Sequence, residues 1–315
     1  MQQTTNTVLM IRPVAFRRNE QTTENNYYQK EANALLPAAA NAKAQEEFDA
    51  LVSKLRSVGV NVIVVEDTVN TDTPDSIFPN NWISFHQNGD VALYPMFAEN
   101  RRLERREDIL DLLEEQGFHI EQIVDYSSAE EEGLFLEGTG SLVLDRANIK
   151  AYCALSSRSN EELMIEFCED FEMNPVIFEA FQTVNGERKH IYHTNVMMCL
   201  GETFAVICAD SIDDKKERKM VLDCLKSDGK EIILITEDQM SNFAGNMLQV
   251  RGANDKRYLV MSTSAHQSLT TAQITALEKH CEILSSGLET IEACGGGSAR
   301  CMMAEVFLPK EEDED

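Results

Sequence analysis

The chain has 315 residues, 43% of them hydrophobic, enough to bury one large core or two ordinary ones. Fifty-four acidic against 28 basic side chains give a net charge of -26, which repels phosphate backbones and anionic membrane surfaces and argues against nucleic acid as a partner. The opening MQQTTNTVLM lacks the basic start and apolar core of a signal peptide, and no stretch reaches the roughly 18 apolar residues of a membrane span, so a soluble, cytoplasmic protein without membrane association is expected.

The first strand, TVLMIRP, leads into a polar stretch of roughly 28 residues, a length typical of lids and binding loops, which holds Arg12, Phe16 and Asn26. The helix AQEEFDALVSKLRSVG and the strand VNVIVVED follow. In the second unit NWISF and VALYP flank the hairpin turn QNGD, before the helix RRLERREDILDLLEEQG and the strand HIEQIV. The third unit reads SLVLD, turn RAN, IKAYCAL, a helix from about Asn160 capped by Ser159, and NPVIFEAF. The fourth reads NVMMCL, TFAVICAD, the helix DDKKERKMVLDCLKS stopped by Gly229, and KEIILIT. The fifth reads NMLQV, GANDK, RYLVMST, a helix from about Thr271 to Ser285, and LETIEA as its last strand. The closing CMMAEVFLP is positioned to supply the leading strand that the first unit lacks.

Two strands, a helix and a strand thus recur without a long linker, and joining the last unit to the first removes the sheet edges that an open array leaves. The expected fold is a single closed α/β domain over residues 1–309. Residues 310–315, like Glu130 to Glu132, read as solvated charge.

Eight cysteines without a signal peptide suggest reduced thiols rather than a disulfide framework. Cys153, Cys199 and Cys208 lie in apolar strand-like runs and read as small buried hydrophobes. With no CxxC, HxxxH or HxH spacing, neither a metal nor a cofactor is expected. Three junctions instead interrupt the apolar pattern with reactive groups: Phe135 to Gly140 (FLEGTG), Tyr192 to Asn195 (YHTN) and Gly295 to Cys301 (GGGSARC). A thiol nucleophile needs a base and a group that orients the base, and Cys301, His193 and Glu137 offer one of each. The glycine run permits close backbone approach to a ligand, while Arg300 either helps hold a thiolate or faces solvent.

With these motifs the chain resembles the guanidino-group-modifying enzymes of the pentein fold, the five-bladed α/β propeller. That family includes arginine deiminases, dimethylarginine hydrolases, amidinotransferases and succinylarginine dihydrolases. Within it the chain looks most like the bacterial citrulline-utilisation hydrolases, through VLMIRPVAF, NNYYQ, PDSIFPNNW, FLEGTG, HTN, NFAGNM and GGGSARCM. The resemblance implies that Cys301 attacks the central carbon of a planar head group and forms a covalent adduct. His193 would protonate the leaving amine and then activate water, with Glu137 orienting it. Resemblance to the dimethylarginine hydrolases points to Arg101 or Arg102 and to Arg158 as holders of the substrate carboxylate, although each also reads as a helix or surface charge.

Two departures bear on the substrate. Relatives acting on cationic guanidinium commonly have acidic residues where Asn81 and Asn195 stand here. A guanidinium displays only donors, whereas a neutral ureido group also displays a carbonyl acceptor, which asparagine can match. Citrulline is therefore expected over arginine, with ornithine, ammonia and carbon dioxide as products, unless Asn80 and Asn81 are turn residues after Pro79 and Asn195 caps a strand. A third departure is Gly140, where relatives often carry aspartate. The rivals are deimination or amidino transfer on a guanidine, and a non-catalytic propeller scaffold. The expected partner is a small amino acid; oligomeric state is left open, a homo-oligomer included.

Overall fold

The computed structural model describes residues 1–29 and 36–310, so the acidic run after Lys310 lies outside the described residues. In the first sheet β1 (Thr7–Arg12) is the middle strand and β2 (Asn61–Glu66) the outer one. The second sheet contains β3 (Ile83–Phe85), β4 (Asp90–Leu93) and β5 (Gln122–Asp125); the third, β6 (Leu142–Asp145), β7 (Lys150–Leu155) and β8 (Asn174–Glu179). A hairpin of β9 (Phe181–Val184) and β10 (Glu187–His190) intervenes. The fourth sheet holds β11 (Met198–Leu200), β12 (Phe204–Ile207) and β13 (Glu231–Leu234), and the fifth β14 (Leu248–Arg251), β15 (Arg257–Ser262) and β16 (Glu282–Ser286). Finally β17 (Ala304–Glu305) returns to pair with β1, so CMMAEVFLP does complete the first sheet.

All five sheets share one plan, in which a short inner strand runs antiparallel to the middle strand and the outer strand runs parallel to it. A parallel pair cannot be joined by a tight turn, which is why a helix stands between middle and outer strand in every unit. Middle strands are covered on both faces, so they read as continuous apolar runs; Ala151–Ala154 and Phe204–Ile207 are wholly buried. Inner strands neighbour one another, β17 against β3, β6 against β11, and β11 against β14.

Several elements differ from the sequence expectation. The helix expected over RRLERREDILDLLEEQG is two pieces, Glu99–Arg102 and Asp108–Glu115. It breaks because Arg101 and Glu104 turn inward as a buried ion pair instead of facing solvent. In the fifth unit the helix is Thr271–Glu278, the outer strand is EILSS, and LETIEA is not a strand but the start of a helix, Glu289–Gly295. The side chain of Glu47 accepts from the backbone N–H groups of Thr290 and Ile291 and satisfies that helix's first turn. The third unit's helix is capped by Asn160, one residue later than expected. The hairpin β9–β10 turns at Asn185-Gly186, both at positive φ, the pairing that a tight hairpin turn favours.

One buried ion pair ties the third and fourth sheets together. Lys230 Nζ lies 3.2 Å from Asp145 Oδ2 and donates to the carbonyls of Gly201 and Glu202, with both side chains fully buried. Removing one partner strands the other charge, so Lys230→Ala is expected to lower unfolding free energy by about 3–5 kcal/mol in urea titrations.

Candidate active site

The candidate residues sit on the short turns that precede inner strands. Pro79–Asn81 precedes β3, Glu137 and the turn Gly138–Ser141 precede β6, His193 and the turn Thr194–Val196 precede β11, Asn246 precedes β14, and Cys301 precedes β17. Equivalent junctions of five units therefore converge. The turns are locked to one another: Thr194 Oγ1 donates to the Ser141 carbonyl at 2.6 Å, and Asn80 Nδ2 donates to Thr139 Oγ1 at 3.2 Å. Two glycines are required here. Gly138 has φ +45° with its α-carbon facing the Asn80 carbonyl, and a side chain on Gly140 would overlap both the Asn81 amide and His193 Nδ1.

His193 Nε2 lies 2.7 Å from Glu137 Oε2, both buried. Glu137 also accepts from the Phe97 backbone N–H at 3.0 Å and from Arg158 at 3.4 Å. Burial would raise the Glu137 carboxyl, but Arg158 and His193 outweigh it and hold it well below the usual carboxylate range. Burial pulls the His193 imidazole down to about 4, against the opposing pull of Glu137. The two directions agree physically, because Arg158 already balances the carboxylate and leaves the imidazole neutral. Glu137 then fixes the tautomer, with the proton on Nε2 and Nδ1 free as an acceptor beside Gly140.

This carries a stability consequence. Because the folded imidazole takes up its proton near pH 4 and the unfolded one near 6.5, it has no effect above pH 6.5. As pH falls from 6.5 to 4 only the unfolded chain binds the proton, which removes up to about 3 kcal/mol. Urea titrations of His193→Gln are expected to show a flatter loss of stability across that window than wild type.

Cys301 is buried, and the amides of two asparagines point at its sulfur: Asn246 Nδ2 at 3.2 Å and Asn195 Nδ2 at 3.5 Å. Among the described residues no hydrogen bond joins Cys301 to His193; the link runs through the turn that carries both His193 and Asn195. All eight cysteines are free thiols, and burial pushes those of Cys153 and Cys199 up to about 12. Arg300 does neither of the things expected of it, since its guanidinium turns away to the Met303 carbonyl and Glu305.

Asn81 is also buried. Its Oδ1 accepts from Arg101 Nη1 at 2.8 Å, and since a guanidinium only donates, the amide orientation is fixed. The Asn81 Nδ2 end is left buried without a partner, beside His193.

The arginines fall in different places. Arg101 is spent on Glu104, Asn81 and the Phe78 carbonyl. Arg158 is spent on Glu137, the Thr22 carbonyl and the Asn25 side chain, and packs over the Tyr192 ring. Arg102 is half-buried above Phe135, with Nε on the Met96 carbonyl and 3.4 Å from Glu130 Oε2, and no hydrogen-bond partner for its terminal nitrogens among the described residues. Arg12 is not brought to the site at all; it faces outward and clamps Asp49 and Glu66.

The described part of the long first loop, in contrast, does reach the site. Asn26 Nδ2 donates to the Gly295 and Gly296 carbonyls, while Thr22 and Asn25 hold Arg158. Asp75 and Asn246 were not singled out from sequence. Asp75 is buried, accepts through Oδ2 from Asn19 and Thr22, and leaves Oδ1 without a partner. Asn246 belongs to NFAGNM, whose position before an inner strand was the available signal. No group of three or more metal-ligating side chains is present among the described residues, and none of their helices is long and apolar enough to cross a membrane.

A family model for N,N-dimethylarginine dimethylhydrolases (eukaryotic) matches residues 12–308. Among solved structures, ArgZ, an arginine dihydrolase from cyanobacteria, superposes with a TM-score of 0.73 at 17% identity, covering 98% of this chain and 41% of that one. The N-terminal domain of ArgZ bound to substrate gives 0.70 at 17% identity, covering 96% of this chain and 99% of that domain. The dimethylarginine hydrolase DDAH from Pseudomonas aeruginosa, complexed with citrulline, gives 0.64 at 14% identity, covering 96% and 100%. The chain thus spans about two fifths of full-length ArgZ. No curated protein sequence matches it. The fold and the family match define a mixed α/β protein of the pentein, guanidino-modifying class, whose hydrolases act on carbon–nitrogen bonds other than peptide bonds. Within that class the chain belongs to the N,N-dimethylarginine dimethylhydrolase family.

Proposed function

We propose that the protein hydrolyses the ureido group of citrulline, with Cys301 as nucleophile, His193 as proton carrier and Glu137 as its orienting partner. The observation that carries the substrate choice is Asn81. Arg101 occupies its carbonyl end, so the site meets its NH2 donors, which suit a ureido oxygen and not the donor-only edge of a guanidinium. Asn195 offers a second neutral amide.

In this reading the Cys301 sulfur adds to the ureido carbon, and the thiol proton ends on neutral His193. Returning that proton to the departing nitrogen breaks the first C–N bond and leaves a thioester-like adduct. His193 then takes a proton from water, whose oxygen displaces the sulfur, and the carbamic acid formed breaks down. Citrulline and one water give ornithine, ammonia and carbon dioxide. Asp75 Oδ1, buried and unpartnered, suits the substrate's ammonium. Arg102, which meets Glu130 only through Nε and keeps its terminal nitrogens free of hydrogen bonds among the described residues, suits the carboxylate better than Arg101 or Arg158.

The same reading takes residues 1–309 as one catalytic domain whose five sheets close into a five-bladed propeller, in a cytoplasmic protein. Similarity to ArgZ supports a second reading, in which arginine is consumed at the same cysteine with twice the ammonia released per ornithine. Supplying citrulline and arginine separately, and measuring ornithine and ammonia, decides. Ornithine from citrulline is expected; turnover of arginine with none of citrulline would overturn the reading of Asn81.

A further inference from the structure

We propose that Asn246 is a positioning residue that seats the Cys301 sulfur through neutral amide donors, an inference that rests on Cys301 being the nucleophile. Its side chain is buried and uses both ends. Nδ2 donates to Cys301 Sγ at 3.2 Å and to the Asn195 carbonyl at 3.0 Å, while Oδ1 accepts from the Arg300 backbone N–H at 3.1 Å. One side chain therefore grips the sulfur, the residue before it, and the backbone of the other asparagine that faces it.

The loop that carries Asn246 has little freedom to retreat. A side chain on Gly245 would overlap the Val196 carbonyl, so the loop lies directly against the turn of His193. Phe243 is held at φ +63°, a left-handed conformation that a bulky residue adopts only when its surroundings enforce it. Its ring is buried against Tyr28 of the first loop.

The donors matter because nearby positive charge is directed elsewhere. Arg300 turns to Glu305, Arg158 to Glu137, and His193 gives its Nε2 proton to Glu137. Negative charge that develops on the sulfur is then met by N–H groups of Asn246 and Asn195. Such donors stabilise an anion without burying a further cation beside the reacting group.

The test uses iodoacetamide, with modification at each cysteine followed by mass spectrometry across pH, in wild type, Asn246→Asp and Asn246→Ala. Half-buried Cys224 serves as the internal reference for intact folding. Asn246→Asp keeps the shape and the acceptor for Arg300 but loses the donors. In both variants alkylation of Cys301 at neutral pH is expected to slow roughly 10- to 100-fold with Cys224 unchanged, and kcat on the turned-over substrate to fall by a similar factor with KM nearly constant. Unchanged Cys301 alkylation in either folded variant overturns the proposal, as does a loss confined to KM. So does wild-type Cys301 that alkylates no faster than Cys224, a measurement independent of any variant's folding. Because alkylation needs no substrate, it separates this outcome from failure of the nucleophile assignment, which Cys301→Ala with retained turnover would reveal.

Discussion

On the proposed chemistry, Cys301→Ala is expected to reduce ornithine release from citrulline by about 10⁴-fold or more, because loss of the nucleophile would remove the covalent route entirely. The fold should tolerate the change. The substitution removes one sulfur from a packed loop, and the turn is held by backbone contacts and by Asn246, so urea titrations should register a loss of only about 1 kcal/mol. Cys153→Ala is the matched control. Its thiol is as buried and is pushed up to about 12, so it should leave turnover near wild type. Equal losses in the two variants would mean that packing, and not chemistry at Cys301, is being measured.

Glu137→Gln is expected to damage both turnover and stability. Glutamine keeps the shape but carries no charge, so Arg158 is left buried with only the Thr22 carbonyl and Asn25 as partners. Stranding that cation should cost about 3–5 kcal/mol in urea titrations. Turnover should fall roughly 10²- to 10⁴-fold, since the imidazole loses the acceptor that sets its tautomer. Pairing it with Arg158→Met separates the two effects. The double variant is expected to regain stability, because no unpaired charge remains, yet to stay inactive. Restored turnover would show that Glu137 serves only to balance Arg158.

The repeating plan was legible because middle strands buried on both faces leave long apolar runs, and because several crossover helices carry either a side-chain cap, at Asn160, Asp214 and Thr270, or a glycine stop, at Gly59, Gly117 and Gly229. Cys301, His193 and Glu137 were legible because each interrupts such a run just before an inner strand. What escaped depends on partners distant in sequence. An i,i+3 pair with Glu104 looks the same on an exposed helix, and the acceptors that bury Arg101, Asn81 and the Phe78 carbonyl, lie 20 and 23 residues upstream. Arg12 looked equally suited to a substrate, but its strand-end position faces Asp49 and Glu66 outside. Arg158 sits near the reactive groups, but the first loop and Glu137 claim its donors. LETIEA escaped because six residues of mixed polarity fit either period, and the carboxylate that caps the helix, Glu47, arrives from far upstream. The hairpin signal at Asn185-Gly186 is present in the sequence, between the short runs FQTV and ERKH.

The first sheet draws its strands from opposite ends of the described chain. The Thr5 hydroxyl donates to the Val306 carbonyl across 301 positions, and β17 meets β1 only two residues beyond Met302. During synthesis the first four inner-strand turns can be complete while Cys301 is not yet made. The entropy of closing so long a loop grows only with the logarithm of its length, so the delay is one of timing more than of free energy. The Cys301 thiol therefore joins His193 and Glu137 only after the turns that hold them exist, and on the proposed chemistry a chain stalled before residue 301 would lack its nucleophile.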